Sequence, residues 1–309
     1  MKKIAVIILN WNGKEDTLEC LESIQNMEQG TFNLEVIVVD NGSTDDSVDR
    51  ITKFIDSGKS AIKLVENQEN LGFAGGNNIG IKHALESEAD YVMLLNNDTQ
   101  VDKNLMTELL KAMEQNKNAG IVGPKIYFAK GYEYHRQRYK ETELGRIIWY
   151  AGGLIDWRNV YASHRGVDEV DIGQYDKVEE TAFTTGCAML VKKEVFGEIG
   201  FLDEKYFMYL EDVDLCLRAR KAGFKILYKP QGIVWHKNAQ SSGQPGSSLH
   251  TYYLTRNRLI FGMHYSSLRT KIALLRESIR LYFKSDVERW AVSDFFLGRL
   301  GKGKSYGTI

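Results

Sequence analysis

Short apolar runs bounded by turn residues recur along the first 130 positions: "IAVIIL" (4–9), "LEVIVV" (34–39), "IKLV" (62–65), "YVMLL" (91–95) and "GIVGPKIYF" (120–128). Each has the length of a strand and is nearly continuous in apolar residues, the pattern of strands covered on both faces. Between them apolar residues fall at helical spacing, as in Leu18, Leu21 and Ile24, then Val48, Ile51 and Ile55, then Leu105, Leu109 and Met113. Strand and helix therefore alternate. The expectation is an α/β fold with a doubly wound, mostly parallel central sheet and helices on both faces.

After residue 128 the pattern changes. Residues 130–176 carry many aromatics and charges with no clear period, and so long an insert in a compact domain is usually functional or mobile. "TAFTTGCAMLV" (181–191) reads as a strand, and "FLDEKYFMYLEDVDLCLRARKAG" as a loop entering a helix from about Glu211 to Ala222. "FKILY" and "GIVWH" read as two further strands. From Pro245 onward eleven Lys and Arg stand against four acids, a net charge of +7 in a chain whose total is -1. The tail is a basic, aromatic helical appendage on an acidic body, which sets domain boundaries at 1–245 (halves 1–128 and 129–245) and 246–309.

Charge and cysteine content narrow the function classes. A balanced total excludes a globally basic nucleic-acid binder, and no nucleic-acid partner is expected. Cys20, Cys187 and Cys216 are odd in number and lack CxxC spacing, which supports neither a disulfide framework nor a zinc ribbon and points to a reducing cytosol. The basic start and six-residue apolar run of "MKKIAVIILNWNG" lead to no small-residue cleavage site and read as the first strand. No apolar stretch approaches the ~20 residues of a spanning helix, so membrane contact is expected to be peripheral.

Parallel strands put their ligand-binding loops at their carboxyl ends. The loops after the first, second and fourth strands are "NWNGK", "DNGSTDDS" and "NNDTQ". Each alone is equally a turn or helix cap, but three on one sheet edge point to a polar small-molecule site. Asp40 is placed to accept hydrogen bonds from a ribose or base N–H, with Ser43 and Thr44 available to cap the next helix. "NLGFAGGNNIG" (70–80) lacks the lysine of a P-loop and the GxGxxG spacing of a dinucleotide fold. Its Gly72, Gly75 and Gly76 allow close backbone approach, and Asn77 and Asn78 lie near a helix start. Asp98 beside a diphosphate would be repulsive without a divalent cation between them, so its reading as a metal ligand carries that requirement.

In "YLEDVDLCLR", Leu210, Val213 and Leu217 form a buried stripe flanked on opposite sides by Asp212 and Asp214. Asp214 can pair with Arg218 four residues on. Asp212 lacks such a partner and is the candidate general base. His236 ends a strand before a Ser/Gly-rich loop; a lone histidine is more often structural than a ligand, and the other five histidines suggest no cluster.

Taken together, "ILNWNG", "VVDNGSTDDS", "NLGFAGGNN", "LLNNDT", "TGCAMLVKKEVF", "FMYLEDVDLCLRARKAGFK" and "VWHK" resemble glycosyltransferase family 2, the inverting GT-A enzymes, and look closest to its rhamnosyltransferase-like branch. The resemblance runs from about residue 3 to 260. It implies a GT-A fold over residues 1–245 and transfer of one sugar from a nucleotide-diphosphate sugar, dTDP-rhamnose or a UDP-sugar, to a saccharide or lipid-linked saccharide acceptor in surface polysaccharide synthesis. By position, Asp40 matches the acid contacting the nucleoside, and Asn10 and Asn12 line the same pocket, with Gly75 and Asn77 also on the donor side. Asn96 and Asp98 occupy the place of the DxD motif, so Asp98 should contact Mg²⁺ or Mn²⁺. His236 matches a position that completes the metal site, and Asp212 should take the proton from the acceptor hydroxyl.

Asn96 departs from the family's first Asp and supplies no charge, so tight metal binding would wait for the nucleotide's phosphates. The QxxRW motif of processive members is missing, which implies single-sugar addition. The insert and the Thr185–Cys187 stretch are expected to shape the acceptor side, through Trp149, Trp157, Gly186 and Glu211; the two tryptophans either stack on sugar faces or serve as core or lid aromatics. Residues 250–309 have aromatics and basic residues at helical spacing and either lie on an anionic membrane, cap the domain or dimerise. The implied location is cytosolic, at most peripheral on the membrane. Two rivals stand beside this reading. A nucleotidyltransferase would want a glycine-rich loop with Arg and Lys after the first strand, which "NWNGKEDT" does not supply. A noncatalytic sugar-nucleotide or glycan-binding module would have no need of a base. Oligomeric state is open.

Overall fold

The apolar runs become strands, buried in the middle of the sheet and only half-buried in the edge strand formed by 62–66. The computed structural model describes residues 1–28, 30–58, 61–238 and 246–303. Its first half alternates β1 (Lys2–Asn10), α1 (Lys14–Gln25), β2 (Phe32–Asp40), α2 (Ser47–Asp56), β3 (Ile62–Glu66), α3 (Gly72–Glu86), β4 (Tyr91–Asn96), β5 (Thr99–Val101), α4 (Leu105–Gln115) and β6 (Ala119–Phe128). The second half adds β7 (Ile148–Tyr150), β8 (Gly153–Asp156), β9 (Tyr161–His164), β10 (Glu179–Glu180), β11 (Ala188–Lys192), α5 (Lys193–Ile199), α6 (Glu211–Lys221) and β12 (Lys225–His236). Helices α7 (Ser248–Tyr265), α8 (Leu268–Tyr282) and α9 (Asp286–Phe296) follow.

The main sheet runs β10-β12-β6-β11-β4-β1-β2-β3, with β5 on β12 and β7 on β6. β1 pairs in parallel with both β2 and β4, while β11 is antiparallel to β4 and β6. The chain moves from β1 outward through β2 and β3, then returns to place β4 on the other side of β1. That reversal opens a crevice at the carboxyl ends of β1 and β4, where open α/β sheets bind ligands. Asn10 and Asn96 are the last residues of these two strands.

Three expectations are corrected. "FKILY" and "GIVWH" belong to one strand, β12, with a bulge between Lys229 and Ile233 where Pro230 cannot donate to the ladder. Only the end of 181–191, from Ala188, is strand, because Thr185–Cys187 leave the sheet to line a cavity. The insert holds β7, β8 and β9, strands of three or four residues that are too short to show a period. The tail is helical as read, each helix capped by a serine hydroxyl, Ser247, Ser267 or Ser285. Its α7 buries Tyr252, Tyr253, Arg256 and Asn257. Residues 304–309 of the tail and residues 239–245 at its boundary lie outside the described residues.

Candidate active site

A cavity of about 410 Å³ opens over the crevice at the sheet's carboxyl edge. One corner is made by strand pairing. β5 runs antiparallel to β12 with Thr99 opposite His236, so the residue before Thr99 meets the last residue of β12. Asp98 Oδ1 lies 3.1 Å from His236 Nε2, with both side chains buried. Burial by itself would lower the His236 pKa, but the Asp98 charge beside it outweighs that and holds it well above the usual imidazole range. The Trp149 ring packs edge-on against His236, centroids 4.5 Å apart, and equally against His164 at 4.3 Å.

Asn97, for which the sequence offers no role, fixes this corner to the first loop. Its Nδ2 donates to the Gly13 carbonyl at 3.3 Å and to Thr17 Oγ1 at 3.0 Å. Gly13 has no room for a Cβ, which would lie 2.6 Å from that same nitrogen.

Another part of the lining is the start of α6. Asp212 Oδ2 accepts from the Gly186 N–H at 2.8 Å, and Oδ1 accepts from the Val213 N–H at 2.8 Å. Burial pushes its pKa up and these hydrogen bonds pull it back, leaving it above the ordinary aspartate value. Glu211 is the more deeply buried; its burial and the Asp212 charge push it well above the usual range, and its Oε2 makes no hydrogen bond. Asp214 turns away from the cavity to Arg218 Nε at 2.7 Å and the Tyr265 hydroxyl, the separation that helical spacing predicts.

The structure brings Asn96, Asp98, Trp149, Gly186, Glu211, Asp212 and His236 to one cavity. The remaining predicted residues do not line it. Asn10 Nδ2 donates to Asp40 Oδ2 at 2.7 Å, and Asp40 also accepts from the Ser43 N–H and hydroxyl. Ser43 is thus held by Asp40 and is not the cap of α2, which begins after Asp46. Asn12 accepts from the Thr44 N–H, tying the first loop to the second. Gly75 leaves room for Leu71, whose Cβ would lie 2.9 Å from an added methyl, and the Asn77 amide bonds back to the Phe73 carbonyl within α3. Trp157 stacks on Phe261 of α7, 14° from parallel.

Sequence reasoning missed Trp11, Asn41, Tyr134, His164 and His250 on the cavity wall. His164 and His250 also reach this wall, and both come from segments whose position only tertiary packing decides. Asn41 was within reach, since it follows Asp40 in the same loop. Its amide spans Asn70 Oδ1 and the Gly72 carbonyl and accepts from the Leu71 N–H, so it ties the second-strand loop to the glycine loop. Gly72 itself has φ +75° and sits against Phe207, whose ring would be 2.5 Å from an added Cβ. Gly72→Ala should lower stability by about 2–3 kcal/mol, read as a fall in the urea midpoint at unchanged slope.

The profile of Glycosyl transferase family 2 matches residues 5–200. The chain belongs to glycosyltransferase family 2. This glycosyltransferase is 27% identical over 263 residues to the low-salt glycan biosynthesis hexosyltransferase Agl10 of Haloferax volcanii, covering 83% of this chain and 74% of that protein. It is 28% identical over 229 residues to the N-acetylglucosaminyl-diphospho-decaprenol L-rhamnosyltransferase of Mycobacterium tuberculosis, covering 71% and 72%. Among solved structures, GalNAc-T7 with UDP, GalNAc and Mn²⁺ superposes with a TM-score of 0.62 at 15% identity over 82% of this chain. The glycosyltransferase spans about half, 48%, of that larger chain. S. aureus TarS 1–349 in complex with UDP-GlcNAc superposes at 0.59, with 14% identity over 96% of this chain and 79% of that one. The fold is GT-A, as the motif order implies, and the rhamnosyltransferase-like character is matched by a relative named as a rhamnosyltransferase. Neither rival class fits a family 2 glycosyltransferase.

Proposed function

We propose that this enzyme transfers one sugar, with inversion, from a uridine or deoxythymidine diphosphate sugar to a hydroxyl of a saccharide or lipid-linked saccharide in surface polysaccharide synthesis. The observation that carries the reading is that the Asp98–His236 pair and Asp212 line one cavity. The relatives support the substrate classes: one is named for rhamnosyl transfer to a diphospho-decaprenol-linked sugar, and another, from Shigella flexneri, is a dTDP-rhamnosyl transferase.

The Asp98 carboxylate is an oxygen donor suited to Mn²⁺ or Mg²⁺, and the His236 imidazole adds a nitrogen donor that favours Mn²⁺ over Mg²⁺. Among the described residues no group of three His, Cys, Asp or Glu converges to hold an ion. The pair therefore fits a cation that takes its remaining ligands from the donor's diphosphate, and a cation there would supply counter-charge for the leaving diphosphate. Asn96, beside it, offers a neutral hydrogen bond to ribose or bound water. Asn10, Asn12 and Asp40 hold the two loops under the nucleoside, and Gly75 and Asn77 shape the helix next to it.

Asp212 takes the proton of the acceptor hydroxyl as that oxygen attacks C1. The new C1–O bond forms as the bond from C1 to the diphosphate breaks on the far face of the sugar, which inverts the anomeric centre. Gly186 fixes one carboxylate oxygen through its N–H. Burial and the Asp212 charge favour the neutral carboxyl of Glu211, which can then donate to an acceptor oxygen, and Trp149 walls the acceptor path. Trp157 serves the fold by packing on α7.

A thermal-shift panel of UDP-, dTDP- and GDP-sugars with Mn²⁺ tests the reading. One nucleotide class should raise Tm by several degrees, and chelation should remove the gain. No stabilisation by any of them would overturn the proposed donor class.

The tail supplies the acceptor's setting. Among the described residues no helix is long and apolar enough to cross a membrane. Leu268, Ile272, Ile279 and, just past the helix end, Phe283 form an exposed stripe on α8 at spacings of three to four residues or their sums. Arg269, Arg276 and Arg280 run exposed beside it. We propose that this face lies on an anionic membrane, with the apolar stripe in the interface and the arginines at the headgroups. Ile279→Asp with Phe283→Asp should abolish co-sedimentation with phosphatidylglycerol vesicles while transfer to a soluble acceptor continues. Equal sedimentation of the double variant would remove the membrane role.

A further inference from the structure

The stretch "FMYL" before Asp212 contains no glycine, yet Phe207, Tyr209 and Leu210 all have positive φ, at 64°, 68° and 74°. Non-glycine residues rarely hold that conformation, and it persists only where the surroundings impose it. The surroundings here are two residues of the tail. Asn257 Nδ2 donates to the carbonyls of Tyr206 at 2.8 Å, Met208 at 2.7 Å and Tyr209 at 3.0 Å. Arg256 Nη2 donates to the Tyr206 carbonyl at 3.0 Å, and Arg256 holds Asn257 Oδ1 from both Nε and Nη2, which fixes which way the carboxamide faces. Both side chains have no solvent exposure. From the other side, the Phe207 carbonyl accepts the Ala74 N–H of the glycine loop at 3.1 Å.

We propose that Asn257, oriented by Arg256, is a positioning residue for glycosyl transfer: it holds the left-handed turn that aims Asp212 into the cavity. The inference rests on Asp212 being the base. Asn257 reaches neither substrate nor Asp212 but grips the main chain up to three residues before it. The C-terminal segment is then part of the catalytic apparatus, and its removal costs turnover even with a soluble acceptor. A carboxamide suits the task because its NH₂ can serve several carbonyls that converge on one point and carries no charge.

The test is Asn257→Ala in the full chain, assayed beside Asp212→Asn. Turnover should fall about tenfold to a hundredfold, the loss that a misplacement of about 1 Å produces. KM for the donor and calorimetric donor binding should stay within about twofold, and amides of residues 207–214 should exchange faster with deuterium. Asn257→Ser, which keeps one donor, should recover part of the turnover; it also serves if the alanine variant does not fold. Turnover within twofold of the parent would overturn the proposal, as would donor binding lost in step with turnover, the mark of a general structural role. If Asp212→Asn transfers normally, the base assignment fails. If that variant is inactive while Asn257→Ala is fully active, the clamp alone fails.

Discussion

Asp212→Asn is expected to lower the transfer rate by about 10²- to 10⁴-fold, the range that positioned general bases contribute, with donor binding within about twofold of the parent. The substitution keeps the shape and the acceptor oxygen that could still take the Gly186 N–H, so loss of activity would report loss of the basic oxygen. Burial holds the Asp212 pKa above that of an exposed aspartate, with Glu211 titrating beside it. Activity should therefore fall on the acid side at a pH above the ~3.9 of free aspartate. The linked effect on stability has the opposite sign. A folded-state pKa above the unfolded one adds stability below the unfolded value, and this is lost as pH rises through the folded value. At neutral pH the charged group is a burden, so Asp212→Asn should not lower Tm. Normal transfer rates in the variant would refute the assignment.

Asp98→Ala should remove Mn²⁺-dependent nucleotide binding, measured as a calorimetric Kd raised by at least tenfold in the presence of metal and unchanged after chelation. Among the described residues no group of three His, Cys, Asp or Glu meets at this corner, and Asn96 contributes no charge, so none of them stands in for Asp98. His236→Ala should weaken binding less, because the imidazole is the neutral member of the pair when it ligates a cation. Identical Mn²⁺ titrations for the parent and Asp98→Ala would end the metal reading of this corner.

The parallel half of the sheet was legible because β1, β2 and β4 are buried on both faces and their sequences carry little besides Val, Ile and Leu. β7, β8 and β9 were not, since strands of three or four residues on an insert carry no readable period. β12 looks like two strands in the sequence because Pro230 and Gly232 interrupt its apolar pattern; in the fold they sit in a bulge that the strand absorbs. Asp98, Asp212 and His236 were legible because each lies within two residues of the end of an element, where polar side chains are least expected to serve the core. The cavity's far wall was not, because His164 and His250 reach it through packing between segments distant in sequence. Trp157 shows the limit from the other side. Its residue type suits a sugar face, and only the position of Phe261 on α7 shows that it packs against protein instead.

The antiparallel pairing of β5 with β12 has a consequence for the order in which the molecule is made. Asp98 leaves the ribosome with the first half of the chain, on a sheet edge that β1, β2 and β4 can already form. His236 joins it only when the final strand slots between β6 and β5. Nascent chains and breakdown fragments ending before that strand thus carry one half of the corner and no helix α7. If the proposed roles hold, such fragments should transfer no sugar.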